Sequence, residues 1–190
     1  MEIITLEQPT IEPVTYQEAK DQLRIDIDRE KELIVSYIQS AREYCENYQN
    51  RTYLTKKLKL IKNNIHLPLE IPLPPLQEVE KIEFQKKDGS FVEWSTDNYV
   101  VDTSGEFGWI RTAETYTLPD INFADNNRFQ ITFYAGHENR DDVSPRIKNA
   151  IKLMVTHWFE NRTPVVIGTI STEVEFTIHS LLASDRVVPV

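Results

Sequence analysis

At 190 residues the chain has room for one substantial domain, or for one domain carrying an inserted subdomain. Its 40% hydrophobic and 27% charged content is ordinary for a globular protein. A net charge of −9 excludes nucleic-acid binding across the whole surface, and the lone Cys45 excludes an intramolecular disulfide framework and a multi-cysteine zinc site.

Residues 1–12 read as a short extended leader. Thr15-Tyr16-Gln17-Glu18 has the form of a capping box, in which a Thr hydroxyl and a Glu carboxylate satisfy each other's free amides, so a short helix is predicted over 16–23. Asp26 and Asp28 are N-cap candidates for a longer helix that ends near Asn50. Leu33, Ile34, Tyr37, Ile38, Ala41, Tyr44, Cys45 and Tyr48 step by three and four along it and predict its buried stripe.

From residue 51 to 134 the period changes to two. Strands are predicted over 54–61, 79–85, 91–94, 99–102, 109–111 and 129–134, with a hairpin turn at Lys87-Asp88-Gly89-Ser90. Pro68, Pro72, Pro74 and Pro75 suit an extended edge segment, because proline cannot donate to a ladder. Residues 116–128, with Pro119, Asp120, Asp125, Asn126 and Asn127, read as a loop. Helix returns at Ser144-Pro145, an N-cap followed by proline at the first helical position. Ile147, Ala150, Ile151, Met154, Val155, Trp158 and Phe159 form its stripe, and Asn161-Arg162-Thr163-Pro164 ends it. After an apolar turn over 165–170, residues 177–186 predict a last short helix with Ile178, Leu181 and Leu182 buried.

The expected fold is α+β. Two amphipathic helical segments far apart in sequence form a small helical bundle by packing on each other, and an antiparallel β-rich subdomain is inserted between them. The boundaries are 1–53 for the N-terminal helical part, 54–140 for the insertion, and 141–190 for the C-terminal helical part and tail. Charge is uneven along this plan. Residues 1–50 carry 11 acids and 5 bases, 51–64 carry 5 bases and no acid, and 65–143 carry 15 acids and 6 bases.

Catalytic chemistry is not visible. Five glycines form no phosphate-cradling loop, and Walker, dinucleotide and nucleophile-elbow patterns are absent. Cys45 lies within an apolar stripe, where a thiol is a small hydrophobe. His157 and Glu160 lie three apart on one helix without an evident third metal ligand, so no catalytic, cofactor or metal site is assigned. Asp141-Asp142 read as acids preceding a helix N-terminus. The basic cluster Arg51, Lys56, Lys57, Lys59 and Lys62 is either a surface facing DNA or an acidic partner, or a solvated strand edge whose lysines discourage pairing. No basic n-region precedes an apolar stretch and no apolar run reaches about 20 residues, so no membrane segment is expected and cytosolic expression is the default.

The run from Pro13-Val14-Thr15-Tyr16-Gln17-Glu18 to Arg24, with Ala41-Arg42-Glu43-Tyr44-Cys45-Glu46, resembles the opening of tailed-phage and prophage head–tail connector proteins. Pro145-Arg146-Ile147-Lys148-Asn149-Ala150-Ile151 through His157-Trp158-Phe159-Glu160-Asn161-Arg162 is similar to that family's third helix. Ile178-His179-Ser180-Leu181-Leu182 through Arg186 is similar to its closing helix, and the long β middle matches its larger branch with a β-rich insertion. The resemblance implies a non-enzymatic adaptor needing no cofactor. It would bind below the portal protein as a cyclic homo-oligomer, extend the DNA channel and dock a stopper or tail-completion protein. Isolated chains are compatible with a monomer. DNA would pass without sequence-specific binding, and the location would be the virion's head–tail interface, preceded by the bacterial cytoplasm. Portal binding would fall to the C-terminal segment, with Ile178, Leu181, Leu182, Arg186, Val187 and Val188, while Lys56, Lys57, Lys59 and Lys62 would face the channel or a partner.

The alternative is a small ligand- or carbohydrate-binding module, or an enzyme, using Trp94, Tyr99 and Trp109 of the β insertion. A helical regulator lacks support, since neither helix pair offers a basic recognition face.

Overall fold

Thr15 caps the first helix as expected. In the computed structural model, which describes residues 1–26, 28–86, 88–114, 116–117, 129–161 and 172–188, its Oγ1 accepts from the Glu18 amide at 3.1 Å and its own amide donates to Glu18 Oε2 at 2.7 Å. Helix α1 then runs Tyr16–Leu23 and ends at Arg24 in the left-handed conformation (φ 55°). Helix α2, Lys31–Gln49, starts later than its predicted caps. Its N-cap is Glu30, whose side chain makes no capping bond. Asp28 instead takes the Tyr16 hydroxyl and the Lys20 ammonium, each at 2.7 Å, and so ties α1 to a 3-10 turn over Asp28–Glu30.

Helix α3, Pro145–Glu160, begins as the sequence predicts, with Ser144 Oγ accepting from the Arg146 amide. Helix α4 is Thr172–Leu182, several residues ahead of the predicted start, and a 3-10 turn, Ala183–Asp185, follows it. The expected loop residues Pro119, Asp120, Asp125, Asn126 and Asn127, the helix-ending Arg162-Thr163-Pro164 and the apolar turn 165–170 lie outside the described residues.

The strands are β1 (Glu2–Glu7), β2 (Lys56–Lys62), β3 (Leu69–Ile71), β4 (Leu76–Gln85), β5 (Phe91–Glu93), β6 (Tyr99–Asp102), β7 (Gly108–Thr112) and β8 (Phe129–Ala135). They form an antiparallel five-stranded sheet, β1-β2-β8-β4-β5, and an antiparallel three-stranded sheet, β3-β7-β6. β3 lies in the proline-rich stretch and is an edge strand, as proline demands. The β4–β5 hairpin closes through the Lys86 amide on the Ser90 carbonyl at 2.8 Å, with Gly89 at φ 85° supplying the turn; Lys87 lies outside the described residues.

The fold is thus α+β, and the chain divides into two units. The β unit comprises Met1–Pro9 and Thr55–His137. Residues 1–9, expected as a leader to the helical part, group with it because Ile4 and Thr5 of β1 pair with Lys59 and Leu58 of β2. Leu58, Leu60, Ile82, Ile131 and Phe133 of the larger sheet share one hydrophobic cluster with Ile71, Tyr99 and Ile110 of the smaller, so the two sheets bury facing sides. The helical unit comprises Thr10–Leu54 and Glu138–Val190. Ile34, Ile38, Ala41 and Cys45 of α2 pack with Ile147, Ala150, Ile151, Met154 and Val155 of α3, joined by Ile178 and Leu182 of α4. Among the described residues no helix is long and apolar enough to cross a membrane.

Candidate functional site

Within the helical unit, the C-terminal end of α2 receives the chain that follows α4. Gln49 is fully buried; its Nε2 donates to the Leu182 carbonyl at 2.6 Å, and its Oε1 accepts from the Tyr53 hydroxyl at 2.6 Å. Asn50, left-handed at the helix end (φ 54°), donates through Nδ2 to the Val187 carbonyl at 2.8 Å. The Val187 amide returns a bond to the Gln49 carbonyl at 2.8 Å, and Arg51 Nε donates to the Asp185 carbonyl. Arg186 lies over the Tyr48 ring, 4.9 Å from its centroid. His179 stacks on the other side chain of this pair, 4.5 Å from Tyr48 between ring centroids, with Nε2 3.1 Å from the Tyr44 hydroxyl.

One turn earlier on α2 lies a buried charge network. Arg42 donates to Glu12 Oε2 at 2.8 Å and to Glu46 Oε2 at 2.7 Å, while Glu46 Oε1 accepts from the Tyr53 amide at 2.9 Å. Burial works against the charged guanidinium, but the adjacent Glu46 and Glu12 carboxylates outweigh it and hold Arg42 above its ordinary pKa. Burial raises the Tyr53 phenol likewise, and the neighbouring carboxylates add to that. The network fixes the helix end to which the tail is bonded.

The six C-terminal candidates therefore do different things. Ile178 and Leu182 are buried in the helical core and Leu181 packs against it in part. Arg186 is exposed but lies over Tyr48, Val187 is half-buried and bonded to α2, and Val188 is exposed, at 74%. Phe176, on α4, is exposed to the same extent.

The lysines of the basic cluster do not share one face of their strand. Arg51 belongs to the helical unit, whereas the lysines belong to the β unit. β2 lies between β1 and β8, so the reading of a solvated edge is corrected: β2 is an interior strand. Its pleat puts Lys57 and Lys59 on one face and Lys56 and Lys62 on the other. Lys57 Nζ sits 2.9 Å from Glu80 Oε2 and 5.3 Å from the Tyr134 ring centroid; its hydrogen bond to Glu80 raises its pKa. Lys59 Nζ donates to Gln130 Oε1 at 3.0 Å. One acid of β4, Glu80, thus reaches across β8 to one base of β2, Lys57.

The aromatic triad of the alternative reading is not assembled into an open platform. Trp94 and Tyr99 lie buried in the β core with centroids 5.6 Å apart. Trp109 takes the opposite pleat from core Ile110 and carries Arg111 over its ring at 5.9 Å. Cys45 is buried against Met154, its Sγ 3.8 Å from the thioether sulfur, and burial pushes its pKa up to about 12. Asp141 and Asp142 form a 3-10 turn with Arg140, just ahead of α3. Among the described residues no three His, Cys, Asp or Glu side chains come together as a metal cage.

The helical unit also has an open groove of about 450 Å³, which sequence reasoning did not anticipate. Val14, Val35 and Ile38 give it an apolar floor beside Ile11, and Glu12, Arg140 and Asp141 stand at its edge.

Residues 14–107 match the family described as phage gp6-like head-tail connector protein. No curated protein matches the chain. Among solved structures, the chain is similar to one in the virion of a native gene transfer agent particle, with 18% identity, a TM-score of 0.79, and coverage of 100% of this chain and 97% of the other. A chain in the neck of an empty gene transfer agent particle, computed with C6 symmetry, matches with 18% identity, a TM-score of 0.78 and the same coverage. A chain in the neck of a native particle, computed with C12 symmetry, matches with 16% identity and a TM-score of 0.70, again over 100% and 97%. At these identities the likeness is one of fold.

Proposed function

We propose that this chain, which belongs to the phage gp6-like head-tail connector family, is an adaptor that joins the narrow end of a portal ring as a cyclic oligomer. Family membership carries its structural, non-enzymatic role. The finer reading is supported by the likeness along the whole chain to proteins of particle necks computed with C6 and C12 symmetry. In this role the ring extends the DNA channel in the virion and offers its far side to a stopper or tail-completion protein. The chain's acidic balance suits a wall along which DNA slides, because like charge repels the phosphates. The lysines of β2 serve the sheet, where Lys57 and Lys59 are engaged by Glu80 and Gln130.

The C-terminal segment is the portal-facing part. Ile178, Leu181 and Leu182 anchor α4, Arg186 and Val187 fix the tail on α2, and exposed Val188 makes the contact. A truncation after Ile178 would remove buried Leu182 and the carbonyl that Gln49 bonds, so it would confuse folding with binding.

Co-sedimentation with the cognate portal ring, followed by electron microscopy of the pellet, tests the reading. The expected result is a ring added at the portal's narrow end, lost or weakened in Val188→Glu with the melting temperature unchanged. Absence of binding to competent portal across several salt conditions would overturn it.

A further inference from the structure

We infer that the helical unit carries both halves of a head-to-tail contact between copies of this chain, with Phe176 of one copy seated in the Val14–Val35–Ile38 groove of the next. This deepens the ring reading above and rests on it.

Among the described residues, Phe176 does not belong to the apolar core of its own unit. At about 100° per residue, Ile178 and Leu182, which face the core, lie about 200° and 240° round α4 from it. A phenyl ring left 74% exposed on the wet side of a docked helix is an unpartnered knob. The groove is a socket whose floor is apolar and whose volume, about 450 Å³, admits an aromatic side chain.

Knob and socket lie on opposite flanks of α2. Val35 lines the groove, and Tyr44, whose hydroxyl meets His179 of α4, is nine residues on, or about 180° round the helix. A copy's own α2 therefore stands between its Phe176 and its groove. Two complementary patches on different flanks of one subunit make a heterologous contact, which closes into a ring when the rotation permits. The charges agree. Glu12 is engaged by Arg42 at 2.8 Å and Asp141 lies 3.7 Å from Lys148, whereas Arg140, whose charge also acts on Glu18, makes no ion pair within 4 Å among the described residues. Arg140 is thus available at the socket to Glu175, which precedes the knob.

The test is disulfide trapping in chains assembled on the portal ring. Native Cys45 is buried with its pKa near 12, so it contributes no background. Mild oxidation of the double variant Ile11→Cys, Phe176→Cys should give a ladder of covalent multimers. Mixing the two single variants should give dimers only, and neither single variant alone should cross-link. Phe176→Glu should keep the fold, read by its melting temperature, and lower ring incorporation by about tenfold or more. Rings that form without a ladder, cross-linking by Phe176→Cys alone, cross-links to portal, or full incorporation of Phe176→Glu would each overturn the contact while leaving the connector reading intact. If wild-type chain never joins the portal, the connector reading fails instead. Oxidation of the concentrated free double variant then decides the contact by itself, with a ladder supporting it and its absence overturning it.

Discussion

The two units place their buried polar groups differently. In the helical unit Arg42, Glu46 and Gln49 are buried on one face of α2 and bonded to Glu12, Tyr53 and the Leu182 carbonyl. In the β unit the core is packed by aliphatic and aromatic side chains, buried Asn98 is bonded near its margin to Ser95 and Thr117, and among the described residues two buried polar atoms, Thr132 Oγ1 and Trp94 Nε1, have no hydrogen-bond partner. The difference is one of what must be specified. Strand ladders already fix register in the sheets, so side chains need only fill space. Helices slide and rotate more freely against each other, and directional bonds at the end of α2 fix where the C-terminal segment lies.

The largest break in that comparison is Arg42→Met. It leaves the Glu46 and Glu12 carboxylates facing a lost cation and should cost about 3–5 kcal/mol in urea denaturation, with part of the loss recovered on adding Glu46→Leu. A cost near that of a surface ion pair, below about 1 kcal/mol, would mean the network does not hold the unit. In the β unit the sensitive coordinate is shape. A Cβ at Gly108 would overlap Leu76 Cβ and Cδ2, so Gly108→Ala should cost about 1–3 kcal/mol in the same assay, and an unchanged midpoint would show that the sheets give way easily. The smallest effect is at Thr132, where Thr132→Val removes a hydroxyl that has no partner among the described residues. Thermal melts should show stability unchanged or raised by up to about 1 kcal/mol, and a loss instead would reveal a bond to that hydroxyl.

Much of the helical scaffold is legible in local pattern. The Thr15–Glu18 box, the Ser144-Pro145 start and the apolar steps of α3 are short-range signals, and each appears where the sequence puts it. Tyr44 is the exception in the α2 stripe: it is 40% exposed and turned toward His179, while polar Arg42 and Glu46 take the buried face. Those two are separated by one helical turn and interleave with Ile38, Ala41 and Cys45, which is the signal that was there to be read. Their partners, Glu12 and Tyr53, lie off the helix, so the burial is set by tertiary contacts. β1 was illegible for a similar reason. Its six residues gain strand identity from β2, whose paired residues lie 50 to 59 positions later, and a bulge between Thr5 and Glu7 breaks their alternation. The lysines of β2 look like a patch because the partners of Lys57 and Lys59, Glu80 of β4 and Gln130 of β8, are far away in sequence and reach them only through the sheet.

Chain connectivity has a kinetic consequence. The backbone passes between the units at residues 9–10, 54–55 and 137–138, so neither unit is a continuous piece of chain. During synthesis from the N-terminus, the β unit has all its strands once His137 has emerged. The apolar face of α2 must then still wait for α3 and α4, with Ile34, Ile38, Ala41 and Cys45 uncovered. The helical unit is therefore the last to close, and its early helices are the region that a nascent chain most needs to keep from sticking to its neighbours.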